Sequence, residues 1–235
     1  MGLPIQTAPS YTTTLPSDGR EVKFRPFLVK EQKILVLARE SENLQEQIRA
    51  VKDLLHNVTD GECNADEMYS ADVEWLFLQV RLKSVGEEVK TTFQCGQDDC
   101  NGTGVSVIDL SKVEVQGEVP EDTTVMINDE VGVILELPTF KDVSSVDATK
   151  NEAENVLTIV SKSIKQIFSG DQVFDKADMS QEELTEFIES LTFGQLEQLG
   201  GFFDDAPKLA LDVSYKCNTC GKEQIKNLTG LQSFF

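Results

Sequence analysis

Residues 94–102 read QCGQDDCNG and residues 216–222 read KCNTCGK. Cys95 and Cys100 form a C-x4-C pair, and Cys217 and Cys220 form a C-x2-C pair, with Gly96, Gly102 and Gly221 beside them. A pair of thiolates aimed at one metal ion needs a tight turn, and glycine supplies the backbone freedom for it. Two such knuckles facing each other give tetrahedral coordination by four sulfurs, a pattern that leaves no position open for water. The spacing predicts a structural zinc ion held by Cys95, Cys100, Cys217 and Cys220. An empty reduced site and a redox pair are the rival readings. A redox C-x-x-C opens a helix after a strand, whereas Cys217 and Cys220 lie between two strand-like stretches. The fifth cysteine, Cys63, has no cysteine near it in sequence and reads as a free thiol.

The flanking segments set the fold class. EVKTTFQC and GVSVIDLSKVEVQ alternate apolar and polar residues on either side of the first pair, and KLALDVSYKC and CGKEQIKNLTGL do so around the second. TTVMIND and VGVILELPTF add a hairpin with its turn near NDEVG. Closing the two knuckles on one ion makes roughly residues 105–208 an insertion within a zinc ribbon. That insertion turns helical after Phe140. KNEAENVLTIVSKSIKQIFSG reads as one amphipathic helix ending at Gly170; Ser180 and Glu183 form a capping box; Thr192 caps a short helix.

Upstream, Ile34, Leu35, Leu37, Ala38, Leu44, Ile48, Val51, Leu54 and Leu55 fall mostly at helical spacings, which predicts one long or two shorter helices up to about Asn57. ADVEWLFLQVRLKSVG is a further helix, ending near Gly86, with Trp75, Phe77 and Leu78 as core. Val22 and Phe24 mark a short strand ended by Pro26. The reading is α+β: a zinc-ribbon-like β module with inserted and N-terminal helical segments. Its divisions are an extended arm over 1–19, a strand and helices over 20–86, a β segment over 87–140, a helical insertion over 141–207 and a C-terminal β segment over 208–235. The arm's first 14 residues, rich in Thr, Ser and Pro, are expected to be mobile in the free protein and ordered on a neighbour's sheet edge.

Composition narrows the function classes. The chain of 235 residues carries 41 acidic and 21 basic residues, a formal charge of −20. A field of that sign repels phosphate backbones and anionic lipid, so neither nucleic acid nor membrane is an expected partner. There is no run of 18 apolar residues and no secretory leader, which places folding in a cytosol. His56 is the only histidine and has no second histidine to work with. Asp171, Asp175 and Glu182 fall at positions 1, 5 and 12 of a calcium-binding loop pattern, but Val173 and Lys176 break it at positions 3 and 6. The sequence offers no active site, and the expectation is that the protein is not an enzyme.

LPSDGREVKFRPFLVKEQKILVLARE, residues 15–40, resembles the opening of the T4-like bacteriophage baseplate hub proteins: an LPS-x-G turn, a VKFRPF strand, then VKE leading into an apolar helix. The middle F-x-C at Phe93–Cys95 and the C-terminal C-x-x-C are similar to that family too. The resemblance implies a virion subunit or assembly factor of a contractile-tail baseplate hub. It would be built in the host cytoplasm and would work through contacts with other baseplate or hub proteins. The alternative from another class is a zinc-ribbon adaptor in transcription or replication. Such an adaptor calls for a basic face, for which KFRPFLVKEQK is the best and a short candidate.

Overall fold

The computed structural model describes residues 7–41, 43–146 and 152–230 of the chain. They form an α+β fold divided into two compact units. The first takes residues up to 64, 71–116 and from 208 onward; the second takes 65–70 and 117–207. The inserted unit thus begins about a dozen residues later than the expected 105, because the strands that follow the first knuckle stay with the ribbon. Among the described residues no helix is long and apolar enough to cross a membrane.

In the first unit, β1 (Tyr11–Thr14) pairs antiparallel with β2 (Glu21–Phe24). The expected free arm is therefore shorter than 14 residues: the β-branched run Thr12–Thr14 finds its sheet edge within the same chain. Leu15 is buried, Trp75 Nε1 donates to Thr13 Oγ1 at 2.9 Å, and the Tyr11 and Phe24 rings lie 5.9 Å apart. Residues 1–6 lie outside the described residues. The turn between the strands is held by the buried Asp72, whose carboxylate accepts from the Ser17 amide at 3.0 Å and from its hydroxyl at 2.5 Å.

The upstream helical stretch is two helices, α1 (Val29–Glu40) and α2 (Leu44–Val58), the second capped by Asn43. α2 buries Ala50, Val51, Leu54, Leu55 and Val58, the apolar face its period announces. α1 does the reverse. Its only buried residues are Glu31 and Ala38, while Val29, Ile34, Val36 and Leu37 face solvent. What anchors it is ionic: Glu31, 5% exposed, accepts two hydrogen bonds from the Arg25 guanidinium at 2.8 and 3.0 Å and one from the Leu28 amide at 2.6 Å. α3 (Ser70–Val85) follows, ends at Gly86 and buries Phe77 and Leu78 as expected, with Trp75 partly buried.

The ribbon itself is two small sheets. β3 (Glu88–Gln94) pairs with β4 (Thr103–Asp109), and β10 (Lys208–Lys216) lies between β11 (Glu223–Thr229) and β5 (Glu114–Gln116). GVSVIDLSKVEVQ is thus two strands rather than one. The Asp109 side chain accepts from the Ser111 amide and turns the chain through a short 3-10 helix, so β5 joins the other sheet. Leu78, Ile108, Leu110, Val113, Leu209, Val213 and Leu228 form the core of this part.

The second unit is an antiparallel sheet of four strands in the order β6 (Thr124–Met126), β7 (Val131–Leu135), β8 (Ile164–Ser169), β9 (Gln172–Asp175), with the expected β6–β7 hairpin. Between β7 and β8 lie α4 (Phe140–Ser144) and α5 (Glu152–Ser163); α6 (Gln181–Glu189) and α7 (Phe193–Gly201) follow β9. Val133, Leu135, Val160, Ile164, Ile167, Leu184, Ile188 and Leu199 fill one core. The capping boxes Ser180–Glu183 and Thr192–Gln195 start α6 and α7 as the sequence indicates. One expectation is corrected: the helix drawn through to Gly170 stops at Ser163, and IKQIFS is the strand β8. Helical and strand periods coincide over so short an apolar run, and pairing on both edges, with β7 and β9, decides for the strand.

The Arg25–Glu31 pair gives a test. Arg25 beside Glu31 holds that carboxyl below its ordinary value of 4.5, so the stability it contributes is present above pH 4.5 and is lost as pH falls through the lowered value. Glu31→Gln should therefore lower stability at neutral pH by roughly 2 kcal/mol, since removing one member of a buried pair strands the other. The gap from the native chain should close in acid. Thermal denaturation across pH 3 to 7 reads both; a gap that does not change with pH would place the cost elsewhere.

Candidate metal centre

Each knuckle is a closed turn. The Cys95 amide donates to the Gly102 carbonyl at 2.8 Å, closing the loop that follows β3, and the Cys100 amide donates to Gln97 at 3.0 Å. In the β10–β11 hairpin the Cys217 amide donates to the Lys222 carbonyl and the Gly221 amide to the Cys217 carbonyl, both at 3.0 Å, with Gly221 at a φ of 71°. The knuckles are joined directly: the Asn218 amide donates to the Thr103 carbonyl at 2.8 Å and Ser106 Oγ to the Ser214 carbonyl at 3.0 Å.

Glycine's role at Gly102 is closeness rather than an unusual φ. A Cβ there would lie 2.7 Å from Cys217 Sγ and 2.5 Å from Thr219 Oγ1. At Gly104 a Cβ would lie 2.5 Å from the Lys216 carbonyl oxygen. The two hairpins pack backbone to backbone, and that approach brings the thiols together.

The four sulfur atoms lie within 4.8 Å of one another, with Cys95–Cys220 and Cys100–Cys217 both at 3.8 Å. Sulfurs about 2.3 Å from a central ion, the usual zinc–thiolate distance, stand about 3.8 Å apart in a tetrahedron. Disulfide sulfurs stand about 2.05 Å apart, and all five cysteines are free thiols. The geometry fits a soft metal ion and places all four predicted ligands in one cluster. Among the described residues no other group of three or more candidate ligands is so placed. Cys63 is a buried free thiol, and burial pushes its pKa up.

The donors are not equivalent. The amides of Cys220 and Thr219 hold the Cys217 thiol down to about 6, a thiolate prepared at neutral pH. At Cys100 the Gly102 amide favours the thiolate, but desolvation and the three other sulfurs outweigh it and push that thiol up to about 11. A thiolate favoured at Cys217 beside a thiol that resists ionising at Cys100 is an arrangement an incoming cation would resolve, since metal binding releases protons from its thiol ligands.

Two further residues hold the exposed side of the cluster. Gln224 Nε2 donates to Cys95 Sγ at 2.9 Å, and Gln224 Oε1 accepts from the Gly96 amide at 2.8 Å. The Tyr215 hydroxyl lies 2.9 Å from Gln224 Oε1 and 2.7 Å from the Gln94 carbonyl oxygen. Outer partners of this kind orient metal ligands. Sequence reading passed over both; their signal was register, since Tyr215 and Gln224 are cross-strand neighbours in the hairpin that C-x2-C predicts.

The other residues weighed for chemistry are not members of this cluster. His56 sits in the last turn of α2, its ring over Gly61. Asp171, Asp175 and Glu182 lie in the turn before β9, at the end of β9 and in the first turn of α6, so the calcium-loop pattern is a strand and a helix start.

The fold and site define a zinc-ribbon-like α+β protein with an inserted α/β unit. The family of T4 bacteriophage base plate proteins matches residues 8–235, nearly the whole chain, and the chain belongs to that family. Its role is that of a structural protein of the phage base plate, a virion component that meets other base plate proteins. Neither the curated proteins nor the solved structures hold a significant match to it.

Gly104→Ala tests the backbone approach. With carbonyl rather than a flexible side chain in the way, the hairpins must part, at a cost of about 2 kcal/mol. A melting temperature unchanged by this substitution would show that β4 and β10 do not meet as described.

Proposed function

We propose that the protein is a subunit or assembly factor of the base plate hub of a contractile-tail phage, built in the host cytoplasm, and that Cys95, Cys100, Cys217 and Cys220 hold one structural zinc ion. The four-sulfur cluster with its 3.8 Å edges carries the metal assignment. Four thiolates suit zinc, and such a site keeps no position for water or substrate, which supports a role in contacts rather than catalysis. The opening motif over residues 15–40 supports the hub within the wider base plate. The charge of −20 speaks against a nucleic-acid partner.

Protein purified without added metal should contain one zinc per chain and release it to a chelator or in acid. Cys220→Ser should lose the metal, and Cys63→Ser, whose sulfur is buried away from the cluster, should keep it. Elemental analysis of the three proteins decides; zinc absent from the native chain would overturn the assignment. Mass spectrometry of purified virions beside assembly intermediates tests the hub role. Presence in both marks a subunit, presence only in intermediates marks an assembly factor, and absence from both removes the proposal.

A further inference from the structure

The outward side of α1 carries Val29 (69% exposed), Leu37 (65%), Ile34 (54%) and Val36. A helix on a protein surface normally turns such residues inward; this one turns in a carboxylate. Interleaved with them around the helix are the exposed Lys33 and Lys30, with Arg39 to one side. Residues 20–39 hold six basic and two acidic side chains in a chain of charge −20. An apolar face set with cations calls for an apolar surface set with anions.

The same chain presents one. Residues 65–70 and 117–207 hold 22 acidic and 5 basic side chains, against 19 and 16 in the remainder, so −17 of the −20 lies in the second unit. On its four-stranded sheet, register sets Met126 opposite Gly132, Gly132 opposite Phe168, and Phe168 opposite Val173. This row lies on the face away from Val133, Leu135 and Ile167, which fill the core. The Phe168 ring covers Gly132, where a Cβ would lie 2.2 Å from it. Met126 and Val173 remain 42% and 59% exposed. The Gly170 amide donates to the Glu130 carbonyl, so the turns carrying Asp129, Glu130 and Asp171 meet at one end of the strands, alongside the row.

We propose that α1 is a docking surface for a second copy of this chain, seated head-to-tail with Val29, Val36 and Leu37 on the row Met126, Phe168 and Val173, and Lys30 and Lys33 beside Asp129 and Glu130. The two patches differ, so the contact is heterologous: copies add in one direction and form a ring or a short filament according to the rotation between them. The assignment rests on exposure, register and charge and does not depend on zinc or on the hub.

Sedimentation equilibrium of the full chain up to about 100 µM, well above the dissociation constants of weak specific contacts, should show mass rising with concentration. K30E/K33E and, separately, D129K/E130K should each weaken association by roughly tenfold or more, with circular dichroism and zinc content as in the native chain. Mixed in equal amounts, these two variants meet through native charges at one contact and through exchanged charges at the next, and they should associate again, alternating along the assembly. A native chain that stays monomeric overturns the proposal. So does association untouched by either variant, or association lost in both variants and not restored in the mixture.

Discussion

The ribbon of the first unit depends on two turns, whose paired cysteines stand 117 and 125 residues apart along the chain, being brought to 3.8 Å at their sulfurs. A metal ion bridging them, as proposed, would remove on the order of 4–5 kcal/mol of chain entropy from the unfolded state, by the argument used for disulfides. A small ribbon of short strands buries little apolar surface, so such a link would supply what the core lacks. The glycines at 102 and 104 follow from it. Any side chain there would hold the hairpins apart and the thiols out of reach of one ion.

The link also explains how the inserted unit is tolerated. Chain leaves the ribbon after β5 and returns at β10, and Lys208 pairs with Gln116 where the two meet. The insertion has its own sheet, helices and apolar core, so it asks nothing of the ribbon except that its ends be close. Charge divides along the same line, with the acid excess concentrated in the insertion and the cations gathered around α1. A structural protein of a phage base plate works by its surfaces, and this division gives the chain two surfaces of opposite character.

The four-cysteine cluster, the α+β class and the ribbon were legible because spacing and alternation report local geometry directly. Capping boxes at Ser180 and Thr192 were legible for the same reason. What escaped reading depended on partners distant in sequence. IKQIFS became a strand because β7 and β9 flank it. Tyr11–Thr14 joined the fold because β2 offers an edge. α1 is the most instructive case: its helical spacing does mark a helix, yet Ile34 and Leu37 point outward, because the Arg25–Glu31 pair, not the apolar stripe, chooses the buried face. Gln224 and Tyr215 carry no motif, and only the register of the hairpin sets them beside Cys95.

The knuckles' separation has a temporal side. Ribosomes add roughly 5–20 residues per second, so Cys95 and Cys100 emerge some ten seconds before Cys217 and Cys220. During that interval the first pair has no partner knuckle, while every strand and helix of the inserted unit, which carries its own core, has been made. The ribbon can lock only when its last strands are made. A prematurely released chain would carry the acidic insertion on an unclosed ribbon.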